Sequence, residues 1–182
     1  GSDNSTVTVY GPDIYVDDNS NTGDTYTPAA TGDDNNPGTS AAPLRSLTKA
    51  LTVAQAGDNI LVDAGTFIEN ITVGKDVTLK GANFGVPCSV TRGAESVIDG
   101  LAGTAVTIGS NGVTIDGFTI SGAAGITDAS FEGLSVSNNI VNATATGISV
   151  SGLALSSPDG LSIQDNCLNM SGTGTGISLS GI

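Results

Sequence analysis

A chain of 182 residues suits one domain with a sizeable core. It carries 18 acids against 5 bases, a net charge of −13, and no histidine. That excludes Ser-His-Asp and Cys-His catalysis and His-ligated zinc, and it offers neither nucleic acid nor an anionic membrane a cationic surface.

Residues 1–42 are polar and rich in turn formers. One apolar stretch, Ile14-Tyr15-Val16, reads as a strand. Asp17, Asp18, Asp24, Asp33, Asp34 and Asn36 follow on glycine- and proline-punctuated loop sequence. No apolar run is long enough to span a bilayer, and no leader precedes the strand, as expected of a mature exported chain.

Residues 43–56 read as a capping helix. Leu44, Leu47, Leu51 and Ala54 recur at helical spacing, with Pro43 suited to the first position and Gly57 to the C-terminal cap.

From residue 57 to 182 the pattern changes to a period of two. Short runs such as Val113-Thr114-Ile115, Leu134-Ser135-Val136, Ile148-Ser149-Val150 and Leu161-Ser162-Ile163 alternate apolar with Ser or Thr, separated by Gly, Asn and Asp. The runs repeat as units. Gly112, Gly133 and Gly160 each open a matching run, at spacings of 21 and 27 residues. Gly125, Gly147 and Gly176 open a second family, at spacings of 22 and 29. Repeats in the twenties with three short strands per unit predict a solenoid of parallel strands. Val113, Ile115, Val136 and Ile163 would then stack in the core. Asn139 and Asn166 would form an asparagine ladder at successive corners. Leu44, Leu47 and Leu51 would close the first coil.

Three stretches carry a family resemblance. They are Ile14-Tyr15-Val16-Asp17-Asp18, then Asn36-Pro37-Gly38-Thr39 through Pro43-Leu44-Arg45-Ser46-Leu47, then Gly57-Asp58-Asn59-Ile60 through Phe67-Ile68-Glu69-Asn70-Ile71. Together they resemble the N-terminal cap and first coil of the pectate-lyase-like right-handed parallel β-helix superfamily. The resemblance implies an all-β fold, a right-handed parallel β-helix with an N-terminal capping α-helix. It also implies an extracellular or cell-surface setting among polysaccharides. It implies no particular activity, because such folds host lyases, hydrolases and plain scaffolds. The chain stops within a coil, which reads as the N-terminal piece of a longer helix or as an open end that self-associates.

Candidate chemistry is sparse. Asp17, Asp18, Asp33, Asp34 and Asn36 are hard oxygen donors on loops, a candidate Ca²⁺ set. Asp99, Asp116 and Asp165 lie beside turns, where Asp-Gly is ordinary turn chemistry. No lysine or arginine follows Arg92, so an alpha-proton base of the lyase kind is missing downstream. No catalytic residue is assigned. Cys167 aligns with Ile140 and reads as a small core residue, and a bond from Cys88 to it would have to cross several coils. The expected function is a non-catalytic extracellular module, a scaffold or polysaccharide-contacting surface, without nucleic-acid or membrane partners. The alternative is the front part of a polysaccharide lyase or glycoside hydrolase whose catalytic coils lie beyond residue 182. A remote third reading, from Thr144-Ala145-Thr146 and Thr173-Gly174-Thr175, is an ice-binding face.

Overall fold

The computed structural model describes residues 12–152 and 160–181. In chain order the elements are β1 Asp13–Val16, α1 Leu47–Val53, β2 Asn59–Val62, β3 Gly65–Phe67, β4 Ile71–Val73, β5 Thr78–Lys80, β6 Ser96–Asp99 and β7 Thr104–Ile108. There follow β8 Thr114–Asp116, β9 Phe118–Ala129, β10 Ser135–Ser137, β11 Ile140–Ser151, β12 Ser162–Gln164, β13 Cys167–Met170 and β14 Thr175–Ser180. The fold is all-β, and these strands pair only in parallel.

The strands form three rows. The first runs β1-β2-β5-β8-β10-β12. The second runs β3-β6-β9-β11-β13, using the first halves of the long strands. The third runs β4-β7-β9-β11-β14, using their second halves. Because β9 and β11 are continuous where earlier units break into two strands, the second and third rows belong to one sheet.

Alternation along each strand sends every second residue inward, and the register stacks those residues in columns. The first row stacks Ile60, Leu79, Ile115, Val136 and Ile163. The second stacks Phe67, Ile98, Ile120, Val141 and Leu168. The third stacks Ile71, Val106, Ile126, Ile148 and Ile177. Val113, Ile115 and Val136 are fully buried, whereas Ile163 is only partly so. Each fully buried aliphatic side chain stabilises the stack by about 1.5–3 kcal/mol. A parallel column beside Ile126 reads Val73, Ile108, Asp128, Val150 and Leu179, so one carboxyl occupies an apolar position.

The helix is shorter than its spacing suggests. Leu44 is held out of the helix because it bridges to Val16, donating to the Tyr15 carbonyl while its own carbonyl accepts from Asp17. Pro43 is therefore not a helical residue. Ser46 is the N-cap, its hydroxyl accepting from the Lys49 N–H, and the chain leaves the helix at Ala54, not Gly57. Leu44, Leu47, Ala50 and Leu51 are buried in the core. Charged side chains clamp both ends of α1. Glu69 accepts from the Leu47 and Thr48 N–H groups, and Lys75 donates to the Leu51, Thr52 and Ala54 carbonyls.

Residues 82–95 form a strap over the corners that follow β8, β10 and β12. Arg92 pairs with Glu95 at 2.8 Å and also donates to the Asn138 carbonyl. The strap brings Cys88 to Cys167, and the two form a disulfide with a Cα separation of 5.8 Å. The expectation that Cys167 is a plain core residue is thus corrected. The strap runs along the stack, so the bond crosses no coil interior.

Candidate functional site

One face of the surface carries a row of in-register polar side chains beside a groove. Asp99, Ser121, Asn142 and Asn169 follow one another on β6, β9, β11 and β13. Parallel neighbours sit about 4.8 Å apart, so the row presents one polar group per step. Asn169 Nδ2 donates to Asn142 Oδ1 at 2.9 Å, and Asn142 Nδ2 donates to Ser121 Oγ at 3.4 Å. With Leu101 and Met170 these residues line a groove of about 450 Å³. Asp99 Oδ1 accepts from the Leu101 N–H, which is a turn contact.

The other acids beside turns are occupied. Asp116 accepts from the Gly85 N–H, Ser137 Oγ and Asn138 Nδ2, fastening the strap to the stack. Gly117 follows with φ +84°, and a Cβ there would lie 2.3 Å from the Phe84 N. Glycine is required because the strap rests on that backbone. Asn138 and Asp165 take the same left-handed turn position in the next two units. Asp165 is therefore one position removed from Asp116, and the two do not flank a common bond. The threonine rank reads Thr104, Ala124, Thr146, Thr175 and is broken by Ala124.

Asn139 and Asn166 meet at the corner between the first and second rows. Asn139 Oδ1 accepts from the buried Phe118 N–H, and Asn139 Nδ2 donates to the Ile115 carbonyl. One unit on, Asn166 Nδ2 donates to the Val136 carbonyl.

The loop acids Asp17, Asp18, Asp33, Asp34 and Asn36 are not brought together as one ligand set. Asp33 accepts from Asn35 within a turn, and Asn36 Nδ2 donates to the Pro43 carbonyl. Asp34 accepts from Ser46 Oγ and from the Ser46 and Arg45 N–H groups. Burial pushes the Asp34 carboxyl up, but these hydrogen bonds, with Lys49, outweigh it and hold it below the usual carboxylate range. Asp18 accepts from the Ser20 N–H and packs against Gly65, where a Cβ would lie 2.5 Å from its carboxylate.

Asp17 instead joins Asp24, from the same acidic segment, and Asp63, which no local spacing announces. Asp63 follows β2 and is fully buried. It accepts from the Thr25, Tyr26 and Thr27 N–H groups and from Thr27 Oγ at 2.7 Å. Three convergent amides and a hydroxyl suit an anion. The same Thr27 Oγ lies 3.1 Å from Asp17 Oδ2, but its single proton cannot serve both carboxylates. Asp17 is 0% exposed, and its Oδ1 has no hydrogen-bond partner. Both Asp24 carboxylate oxygens are also buried without a partner. Burial first, then the Asp24 charge, pushes Asp17 up to about 7. Burial, then Asp63 and Asp18, pushes Asp24 up to about 6.

None of the chain's five bases offsets this cluster. Lys75 caps α1, Lys80 lies 5.0 Å from the Phe84 ring centroid, and Arg92 pairs with Glu95. Arg45 meets Asp34 through its backbone N–H, and the Lys49 charge acts on Asp34.

Residues 30–181 match a family model described as "Protein of unknown function (DUF1565)". No curated protein and no solved structure matches the chain. No helix among the described residues is long and apolar enough to cross a membrane.

Proposed function

The chain belongs to the DUF1565 family, and from its geometry we propose that it is a non-catalytic, extracellular module that contacts polysaccharide along one face. In this reading the three parallel rows are the faces of a right-handed β-helix of the pectate-lyase-like kind. Their shared register and the corner asparagines support that reading. The Cys88–Cys167 disulfide supports export, since such bonds persist in oxidising compartments.

The observation that carries the proposal is the row Asp99, Ser121, Asn142 and Asn169 along its groove. A polymer of sugars offers hydroxyls at regular intervals, and a row with one polar group per step can meet them in sequence. Amides and hydroxyls both donate and accept, as sugar hydroxyls do. A net charge of −13 opposes a polyuronate partner and favours a neutral polysaccharide. Catalysis is disfavoured because the groove lining holds one acid and no base.

Affinity electrophoresis through gels of neutral polysaccharides and of polyuronates tests the proposal. Retardation by a neutral polymer is expected, weakened about tenfold when Asn142→Ala and Asn169→Ala are combined, as for roughly one lost hydrogen bond net. Absence of retardation in every gel contradicts polysaccharide contact. Release of unsaturated or shortened products contradicts the non-catalytic assignment.

A further inference from the structure

We infer that the buried carboxylates of Asp17 and Asp24, the second carried on the loop of residues 18–32, bind a hard divalent cation of the Ca²⁺ class. The inference stands on three buried carboxylate oxygens without partners: Asp17 Oδ1, Asp24 Oδ1 and Asp24 Oδ2. Buried polar groups are nearly always satisfied, and charged ones are paired or bind metal. Asp17 is wholly buried and shares Thr27 Oγ with Asp63. Asp24 directly precedes Thr25, whose N–H donates to Asp63, and its charge acts on Asp17.

The three acids divide the work. Asp63 is saturated by three amides and a hydroxyl, so it supplies negative field without offering an oxygen. Asp17 and Asp24 keep theirs free. Among the described residues, no three of Asp, Glu, Cys or His stand in metal-ligating geometry. The cation is therefore held by two carboxylates and completed by neutral oxygens: Thr27 Oγ, loop carbonyls and water. Two carboxylates plus neutral oxygens lie within the range that Ca²⁺ and Mg²⁺ accept. The elevated affinity of Asp17 and Asp24 for protons fits the same missing positive charge.

A bound cation would fasten the loop to β1 and β2, because Asp17 follows β1, Asp63 follows β2 and Asp24 lies on the loop itself. The site differs from the five-residue set suggested by composition. Asp33, Asp34 and Asn36 are engaged elsewhere.

The test starts from chain stripped with chelator and melted alone, then with Ca²⁺, Mg²⁺ or K⁺ at matched ionic strength. Ca²⁺ at a hundredfold excess over its Kd is expected to raise Tm by roughly 5–10 °C, and K⁺ to do nothing. Asp24→Asn removes one of the repelling charges and breaks no hydrogen bond. It is expected to raise the Tm of the stripped chain while weakening the Ca²⁺ response at least tenfold. A merely structural aspartate would do the opposite to the stripped chain. Asp33→Asn, in the exposed turn, is expected to leave the response intact. On the unaltered chain, Tb³⁺ excited through tyrosine is expected to emit, and Ca²⁺ to displace it. A stripped chain indifferent to millimolar Ca²⁺ and Mg²⁺, an Asp24→Asn variant with full response, or no Ca²⁺-displaceable emission would each overturn the inference.

Discussion

Asn166 Oδ1 accepts two hydrogen bonds from Asn139, one from its backbone N–H at 2.9 Å and one from its Nδ2 at 3.1 Å. Asn139 passes the arrangement on, accepting from Phe118 N–H and donating to the Ile115 carbonyl. It is fully buried, so no water replaces these partners. Asn139→Ala strands a donor and an acceptor at once. The expected loss is about 3 kcal/mol or more, read as a lower urea midpoint at unchanged slope. Asn139→Asp keeps the acceptor for Phe118 but buries a charge facing the Ile115 carbonyl, and is expected to be worse.

The disulfide closes a loop with a sequence separation of 79. Constraining that length of unfolded chain stabilises by about 4.5 kcal/mol in the chain-entropy picture. Reduction is therefore expected to lower the unfolding free energy of the parent by that amount, read as a lower denaturation midpoint at unchanged slope. It should leave a Cys88→Ser, Cys167→Ala double variant unaffected. Equal sensitivity of the double variant to reductant would mean that the effect lies elsewhere.

The parallel strands were largely readable from the chain, and the contacts between distant segments were not. Val113-Thr114-Ile115 and Leu134-Ser135-Val136 announce themselves because alternation is local. The register that pairs Thr114 with Ser135 and Ser162 follows from aligning the repeats. β3 and β6 carry no such signal, because three or four residues beginning with Gly65 or Ser96 show too little alternation to stand out. The helical spacing overstates the helix because Leu44 falls on its stripe, while tertiary pairing with Val16 draws that residue into a β-bridge. Asp63 was invisible as a site residue. It lies 46 positions from Asp17, and only the stacking of β1 on β2 brings them together.

Lys75 and Glu69 hold opposite ends of α1 from the strand side. A helix of 7 residues has little stability of its own, so these clamps matter more than in a long helix. Lys75→Met keeps the apolar stem and removes the donors. It is expected to cost about 1 kcal/mol, as is Glu69→Ala through loss of the capping acceptor. Chemical denaturation of each variant checks this. The double variant should be additive within about 0.5 kcal/mol, since the two clamps share no partner.

Asp128 occupies an aliphatic column between Ile108 and Val150 and is 2% exposed. Its Oδ1 accepts from the Phe131 N–H, and its Oδ2 has no partner. Burial pushes its carboxyl up, against the pull of the Phe131 and Ala129 N–H groups. With the folded value above the unfolded one, the native chain holds the proton more tightly. Its contribution to stability is then fully present below about pH 3.9 and is lost as pH rises through the folded value. Asp128→Asn removes this dependence. Its Tm relative to the parent is expected to climb between pH 4 and neutrality, and a difference independent of pH would contradict the burial argument.

Stacking of the parallel strands in register underlies the columns, the corner asparagines and the polar row. It is tested most directly by spin labels on the outward stripe Thr72, Thr107, Thr127, Ser149 and Ser178. With the disulfide kept intact, one label at position 72 is paired in turn with a label at 149 and at 178, and the separations are read by electron paramagnetic resonance. Three and four strand spacings predict about 14 and about 19 Å, beyond the reach of the label linkers themselves. Distances that rise by one strand spacing from the first pair to the second support the stack. Equal distances, or a shorter one to position 178, would contradict it.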